Sequence, residues 1–108
     1  MPIQFLTQRI DFPESTGETS PPVMVMGFDF GRPVVQATAV LAGFNLDFPK
    51  TDRPVHQVLI DVLARPQVTG QMSSIVEVEA FAFLRDFSGD ADDPWEGFAR
   101  VTVIAEVQ

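Results

Sequence analysis

This chain lacks, or nearly lacks, several residue types that commonly act in catalysis or metal binding. It has no cysteine and no tyrosine, and His56 is its single histidine. The lack of cysteine excludes disulfides, thiolate metal sites and a cysteine nucleophile. No serine lies in a G-x-S-x-G turn, and His56 has no evident partner in the sequence. These absences predict that the protein is not an enzyme.

Basic residues are also scarce. Lys and Arg number 7 against 15 Asp and Glu, which gives a net charge of −8. This balance argues against nucleic acid and against anionic lipid, because both require a basic face. The first residues lack the features of a signal peptide, and no apolar run approaches the length of a membrane span, so we expect no membrane partner. The cellular compartment stays open.

The chain has enough apolar residues to form one hydrophobic core. Hydrophobic residues make up 45% of its 108 residues, and ten are Phe. This composition predicts a single folded domain. Residues 1–22 read as an N-terminal arm or edge strand, Ile3 to Phe12, followed by a linker with three prolines. Residues 23–108 read as the domain itself.

Short alternating segments separated by turn signals fill that domain. Alternation of apolar and smaller or polar residues predicts strands at 23–30, 34–48, 75–87 and 99–107. Residues 55–65 fit helical spacing and strand alternation alike, and their β-branched residues favour a strand. The pattern predicts an all-β fold, an antiparallel β-sandwich of about six strands.

Two strands carry more specific predictions. In the segment 34–48, one face is predicted to hold Val34, Val40, Phe44, Leu46 and Phe48. Gly43 within it predicts a bulge or a bend. The run from 81 to 84, Phe-Ala-Phe-Leu, is apolar on both sides, so we expect one of its faces to join subunits in an oligomer.

The acidic turn between the last two strands is the strongest local candidate for a binding site. Its residues Arg85, Asp86, Asp92, Asp93 and Trp95 combine carboxylates and a guanidinium with an indole. An exposed indole offers an apolar face to a sugar ring, and the charged groups hydrogen-bond its hydroxyls. In that interpretation, alanine at Trp95 abolishes binding without unfolding the domain. The alternative is a Trp packed over the end of the hairpin.

The same turn contains the ligand type that calcium prefers. Calcium binds several carboxylate oxygens from a flexible loop. The candidate ligands are Asp86, Asp90, Asp92, Asp93 and Glu96. Ala91 stands where an EF-hand loop requires glycine, so this is not an EF-hand. A solvated acidic turn without metal is the preferred interpretation.

The order of strands and turns resembles the H-type lectin domain over residues 28–107. The segments that carry the resemblance are Phe28–Val35, Leu46–Asp47, Val58–Arg65, Val68–Gly70 and Val101–Glu106. The resemblance implies a six-stranded antiparallel sandwich that forms trimers. It also implies binding of galactose-type or N-acetylgalactosamine-type sugars between subunits.

The chain departs from that family at the sugar site. The family has an aromatic residue and a His on the penultimate strand, where this chain has Phe81, Phe83 and Leu84. It has an Arg on the central strand, where this chain has Val58, with Arg53 and His56 nearby. No binding residue is therefore transferred from the resemblance.

These observations predict a carbohydrate-binding, lectin-like and non-enzymatic module that forms a homotrimer. The alternative is a structural module of a fibre, capsid or adhesion assembly that has no small ligand. A small hydrolase that uses a pair of carboxylates is the third hypothesis.

Overall fold

The structure is a computed structural model, and the part of the chain that it describes forms six β-strands. It describes residues 2–12, 23–48, 55–65, 73–86 and 95–108, of which residues 55–57, 85 and 86 are described in their backbone alone. The strands are β1 Ile3–Phe12, β2 Val23–Asp29, β3 Val34–Asp47, β4 Val55–Ala64, β5 Ile75–Asp86 and β6 Glu96–Val107. Within these ranges no helix has the length and hydropathy needed to cross a bilayer.

The strands form two antiparallel sheets, which confirms the predicted all-β fold. Sheet A has the order β1-β6-β3, and sheet B has the order β2-β5-β4. Of the strands that follow one another in the chain, β4 and β5 alone are also neighbours within a sheet. The chain therefore crosses between the sheets after β1, β2, β3 and β5.

The core is built on the two central strands, β5 and β6. Every second residue of each points inward, and all are at most 2% exposed. These inward residues are Val76, Val78, Ala80, Ala82 and Leu84 on β5, and Ala99, Val101, Val103, Ala105 and Val107 on β6. Small side chains on both central strands leave room for larger ones, because interiors pack to high density.

The larger side chains come from the edge strands. Ile10 and Phe12 of β1 and Phe28 of β2 are almost fully buried, and Met24 and Met26 of β2 pack against the same cluster. The burial of this apolar surface from both sheets is the main stabilising contribution to the fold.

The first strand belongs to the sandwich. Residues 3–12 pair with β6 along their whole length, from Ile3 opposite Glu106 to Phe12 opposite Gly97. Of the two interpretations of this segment, it is thus an edge strand and not an arm. Residues 13–22, the predicted linker, lie outside the described residues.

The segment whose periodicity was ambiguous is strand β4, as predicted. Val58, Ile60, Val62 and Ala64 share the inner side of sheet B, because their partners on β5 are the inward-pointing residues Leu84, Ala82, Ala80 and Val78. The apolar residues of β4 also fit helical spacing, but this does not produce a helix. β-branched residues at alternate positions suit a pleated sheet.

The predicted single face of β3 was wrong at Val40, whereas Val34, Phe44 and Leu46 lie on the inner side of sheet A and Phe48 packs against the core. The register shifts between Val34 and Gln36 and again between Leu41 and Gly43. Each shift exchanges the inward and outward positions of the residues that follow. Val40 therefore points outward and is 41% exposed, whereas Phe44 lies opposite the inward-pointing Ala99 and is still 48% exposed because β3 is an edge strand. The irregularity expected at Gly43 is confirmed.

The outer face of sheet B is apolar around a small ionic cluster. Val23, Val25, Leu59 and Leu63 are exposed there, and Phe81 is half-buried. Apolar residues therefore lie on both sides of this sheet, as the run from 81 to 84 suggested.

The ionic cluster on that face is centred on Arg65. Its guanidinium donates to Glu79 at 2.8 Å and to Glu77 at 2.7 Å. These hydrogen bonds, to Glu79 first and then to Glu77, raise the pKa of Arg65 above its ordinary value. Both carboxylates are thereby neutralised in part by a single cation.

Two glycines of sheet A provide a direct test of the packing. A Cβ on Gly97 would overlap the Asn45 carbonyl oxygen and lie 2.8 Å from Leu46 Cα. We expect Gly97→Ala to lower the free energy of unfolding by at least about 2 kcal/mol, because backbone must move to admit the methyl group.

The matched control is Gly43→Ala, since a Cβ there would meet the end of the flexible Arg100 side chain at 3.5 Å. Its expected cost is about 0.5 kcal/mol or less. Urea unfolding of both variants measures the difference, and equal stabilities would contradict the close approach at Gly97.

Candidate functional site

Most of the predicted site residues have side chains outside the described part of the structure. The backbones of Arg85 and Asp86 end β5, opposite Gln57 and Val55 of β4. Asp92 and Asp93 lie outside the described residues, and so does Asp90 of the predicted calcium ligands. Arg85, Asp86, Asp92 and Asp93 therefore remain predictions.

Trp95 is described, and its indole is buried. It is 2% exposed and belongs to the core cluster. It packs on Phe12 with ring centroids 6.1 Å apart and planes tilted by 50°. The interpretation of Trp95 as an exposed sugar platform is corrected by this burial, because no face of the indole is open to a ligand. The alternative, a packed Trp, describes the structure.

The register of sheet A gathers polar residues from distant parts of the sequence on its outer face. Asp11 of β1, Phe98 of β6 and Asn45 of β3 lie side by side across the sheet. Next to this row, Arg9 lies opposite Arg100 on one side, and Asp47 lies opposite Glu96 on the other. Each of these positions alternates with an inward residue, so strand periodicity places them outside.

An open cavity of about 440 Å³ lies on this face. Its lining consists of Arg9, Asp11, Phe12, Asn45, Asp47, Glu96, Gly97 and Phe98. Most of these residues are polar, and Phe98 lies centrally among them, between Asp11 and Asn45.

Two contacts hold the basic side of the cavity in place. Arg9 Nε donates to Asp11 Oδ1 at 2.7 Å, and both side chains are more than half exposed. The Arg9 guanidinium also lies 4.0 Å from the centroid of the Phe98 ring, which is a favourable cation–π distance. Arg9 is thus positioned over Phe98 and presents its remaining N–H groups to solvent.

The acidic side of the cavity is free to accept hydrogen bonds. Asn45, Asp47 and Glu96 are exposed, and their side chains have no hydrogen-bond partner within the described ranges. Carboxylate and amide oxygens accept hydrogen bonds from hydroxyl groups, and the Asn45 amide also donates. The cavity therefore offers donors and acceptors together.

Metal binding finds no support in this part of the chain. Among residues 2–12, 23–48, 55–65, 73–86 and 95–108, no three His, Cys, Asp or Glu side chains are grouped so that they could hold an ion. Glu96 is the one predicted calcium ligand whose side chain is described, and it lies beside Asp47.

Sequence reasoning missed Arg9, Asp11, Asn45, Asp47 and Phe98. Alternation alone could mark each as an outward strand position. Their association depends on the pairing of β1 and β3 with opposite sides of β6. No local motif encodes that pairing, because the three strands are far apart in the sequence.

Comparison of the chain with models of known protein families, with curated proteins and with solved structures finds no significant match. The function is therefore argued from the geometry of the cavity.

The burial of Trp95 replaces the earlier expectation for its alanine variant. We expect Trp95→Ala to lower the free energy of unfolding by about 3–5 kcal/mol, because it removes a large side chain from the core. Phe98→Ala removes an aromatic ring from the outer face and is expected to cost about 1 kcal/mol. Thermal unfolding compares the two, and a Trp95→Ala variant as stable as the wild type would contradict the buried position.

Proposed function

We propose that this protein is a non-enzymatic, carbohydrate-binding β-sandwich module whose sugar site is the cavity on the outer face of sheet A. The observation that carries the proposal is the grouping of Asn45, Asp47 and Glu96, all without partners among the described residues, beside the Arg9–Asp11 pair and the Phe98 ring. Planar polar side chains next to an aromatic ring suit a ligand with many hydroxyl groups.

The chemistry of the cavity favours a neutral sugar. A hydroxyl group donates to a carboxylate and accepts from a guanidinium or an amide, so one sugar can use Asp47, Asn45 and Arg9 together. Hydrogen bonds to charged groups are the stronger ones. Asp47 and Glu96 repel an acidic sugar, because no described cation pairs with them.

Binding is favoured over catalysis by the openness of the site. The carboxylates of Asp47 and Glu96 are exposed on the face of a three-stranded sheet. Hydrolysis of a glycoside places the scissile bond between two carboxyl groups in a site that excludes water. An open surface does not enclose a substrate in this way, so these groups are suited to recognition.

The resemblance to H-type lectins adds a choice of first ligands. Galactose-type and N-acetylgalactosamine-type sugars are neutral and hydroxyl-rich, and they match the proposed chemistry of the cavity. A homotrimer, which the resemblance also implies, remains part of the proposal. Arg85, Asp86, Asp92 and Asp93 are proposed to extend the site, since the segment 87–94 joins β5 to β6 next to Glu96.

A second candidate function is a structural module that assembles without a small ligand. It is favoured by the exposed apolar residues on the outer face of sheet B, namely Val23, Val25, Leu59 and Leu63. A contiguous exposed apolar surface often marks a site of protein–protein interaction.

A glycan array with the pure protein tests the sugar site. The wild type is expected to bind neutral glycans with terminal galactose or N-acetylgalactosamine. Asp47→Ala and Asn45→Ala are expected to weaken binding about tenfold or more, since each removes a hydrogen bond to the sugar. The matched control is Asp61→Ala, which removes an exposed carboxylate from sheet B and leaves binding unchanged.

Running the array with calcium and again with EDTA separates the two interpretations of the acidic turn. Glycan binding in both conditions supports a metal-free site. Loss of glycan binding with EDTA would instead indicate that a calcium ion held by the turn forms the binding site. A folded protein that binds no glycan overturns the proposed function. If that protein also associates with itself as its concentration rises, the structural module is supported instead.

A further inference from the structure

The outer face of sheet A continues beyond the cavity into an uncharged band. Thr7, Thr102 and Val40 form one row across the three strands, and Phe5, Ile104 and Thr38 form the next. Phe5 is 64% exposed, and the neighbouring Ile3 is 55% exposed. Thr7 and Thr102 satisfy each other through a hydroxyl–hydroxyl hydrogen bond of 2.7 Å. The band is therefore an uncharged and largely apolar surface, with an open cavity lined by Ile3, Thr38 and Ile104 beside Glu106.

Opposite charges mark the two ends of this band. Arg100 and Glu106 both point outward from the central strand β6, on either side of Thr102 and Ile104. Arg100 lies over the Phe98 ring, 5.1 Å from its centroid, and has no carboxylate partner among the described residues. Glu106 accepts a hydrogen bond from Gln36 Nε2 at 2.9 Å and has no cationic partner in the same ranges.

We propose that two copies of this chain pack together through the outer faces of their A sheets, in a two-fold contact separate from the subunit contacts of the proposed homotrimer. The two-fold axis passes over Val103, midway between Arg100 and Glu106, and lies across the strands. It places Arg100 of each copy against Glu106 of the other, with the uncharged bands in contact between the two ion pairs. The interface is isologous, so one surface supplies both halves.

The charges select this arrangement over its alternative. With the two-fold axis along the strands, the β6 strands run parallel and Arg100 meets Arg100. With the axis across the strands, they run antiparallel and opposite charges meet. Face-packed sheets keep their strands within about 30° of each other, and long side chains accommodate that crossing.

The same charges favour a second copy over an unrelated partner. Each chain carries a net charge of −8, so two copies repel each other unless their contact surface compensates. The outer face of sheet A compensates for this repulsion, because Arg100 at one end of the band faces Glu106 of the second copy. Among the described side chains on the outer face of sheet B there is no such pattern, since Glu77 and Glu79 are both paired with Arg65.

The size of the band determines how strongly the two copies are expected to associate. From Arg100 to Glu106 it runs about 20 Å along three strands that together span roughly 15 Å. This is smaller than the roughly 800 Å² per partner of a standard stable interface, so the dimer is a reversible one. Asn45, Asp47 and Glu96 lie beyond Arg100, away from the axis, whereas Arg9 lies beside Arg100 at the margin of the interface.

Charge reversal tests the proposal through sedimentation equilibrium over a range from micromolar to hundreds of micromolar protein. Arg100→Glu and Glu106→Arg each place like charges together and are expected to weaken self-association at least about tenfold. An equimolar mixture of the two variants restores opposite charges at both ends, and so does the double variant. Both are expected to associate as the wild type does.

The control is Asp61→Arg, an equal change of charge on sheet B, which is expected to leave association unchanged. A wild type that stays monomeric throughout, or reversed variants that associate as well as the wild type, would overturn the proposal. So would a mixture that does not recover. If either reversal unfolds the chain, Phe5→Glu at the centre of the band replaces it and is expected to abolish association. None of these results depends on whether the cavity binds sugar.

Discussion

The fold depends on the contact between the inner faces of β5 and β6. Both strands are central in their sheets, and both present only alanine, valine and one leucine to the interior. Because these side chains are small, Phe12, Phe28 and Trp95 can enter from the margins and close the core. Any larger residue on either central strand would push the sheets apart and strain every edge strand at once.

The contact between β5 and β6 also determines which residues of β6 face outward. Since the inner positions of β6 are occupied by the core, its alternate positions face outward, where Thr102 and Glu106 also bond to the neighbouring strands. The outward positions run in order through Glu96, Phe98, Arg100, Thr102, Ile104 and Glu106. A polar cavity lies at one end of this series and an uncharged band at the other, so one strand contributes to two separate surfaces.

The sequence predicted the strands well, because alternation is a local property. The strand at 99–107 and the bulge near Gly43 both follow from short patterns. The outward position of Val40 did not follow, since a register shift reverses the alternation before it. The candidate site did not follow either, because it depends on which strands become neighbours. Trp95 was open to two interpretations, and only its packing against Phe12 separates them.

The pairing of β1 with β6 has a consequence for how the chain reaches its native state. The central strand of sheet A is the last to be synthesised, so neither β1 nor β3 has a partner within its sheet until β6 is complete. Closing contacts between such distant segments costs chain entropy before any stabilisation is gained. Folding is therefore expected to be slow for a domain of this size, and the β4–β5 hairpin is the one unit that can form early.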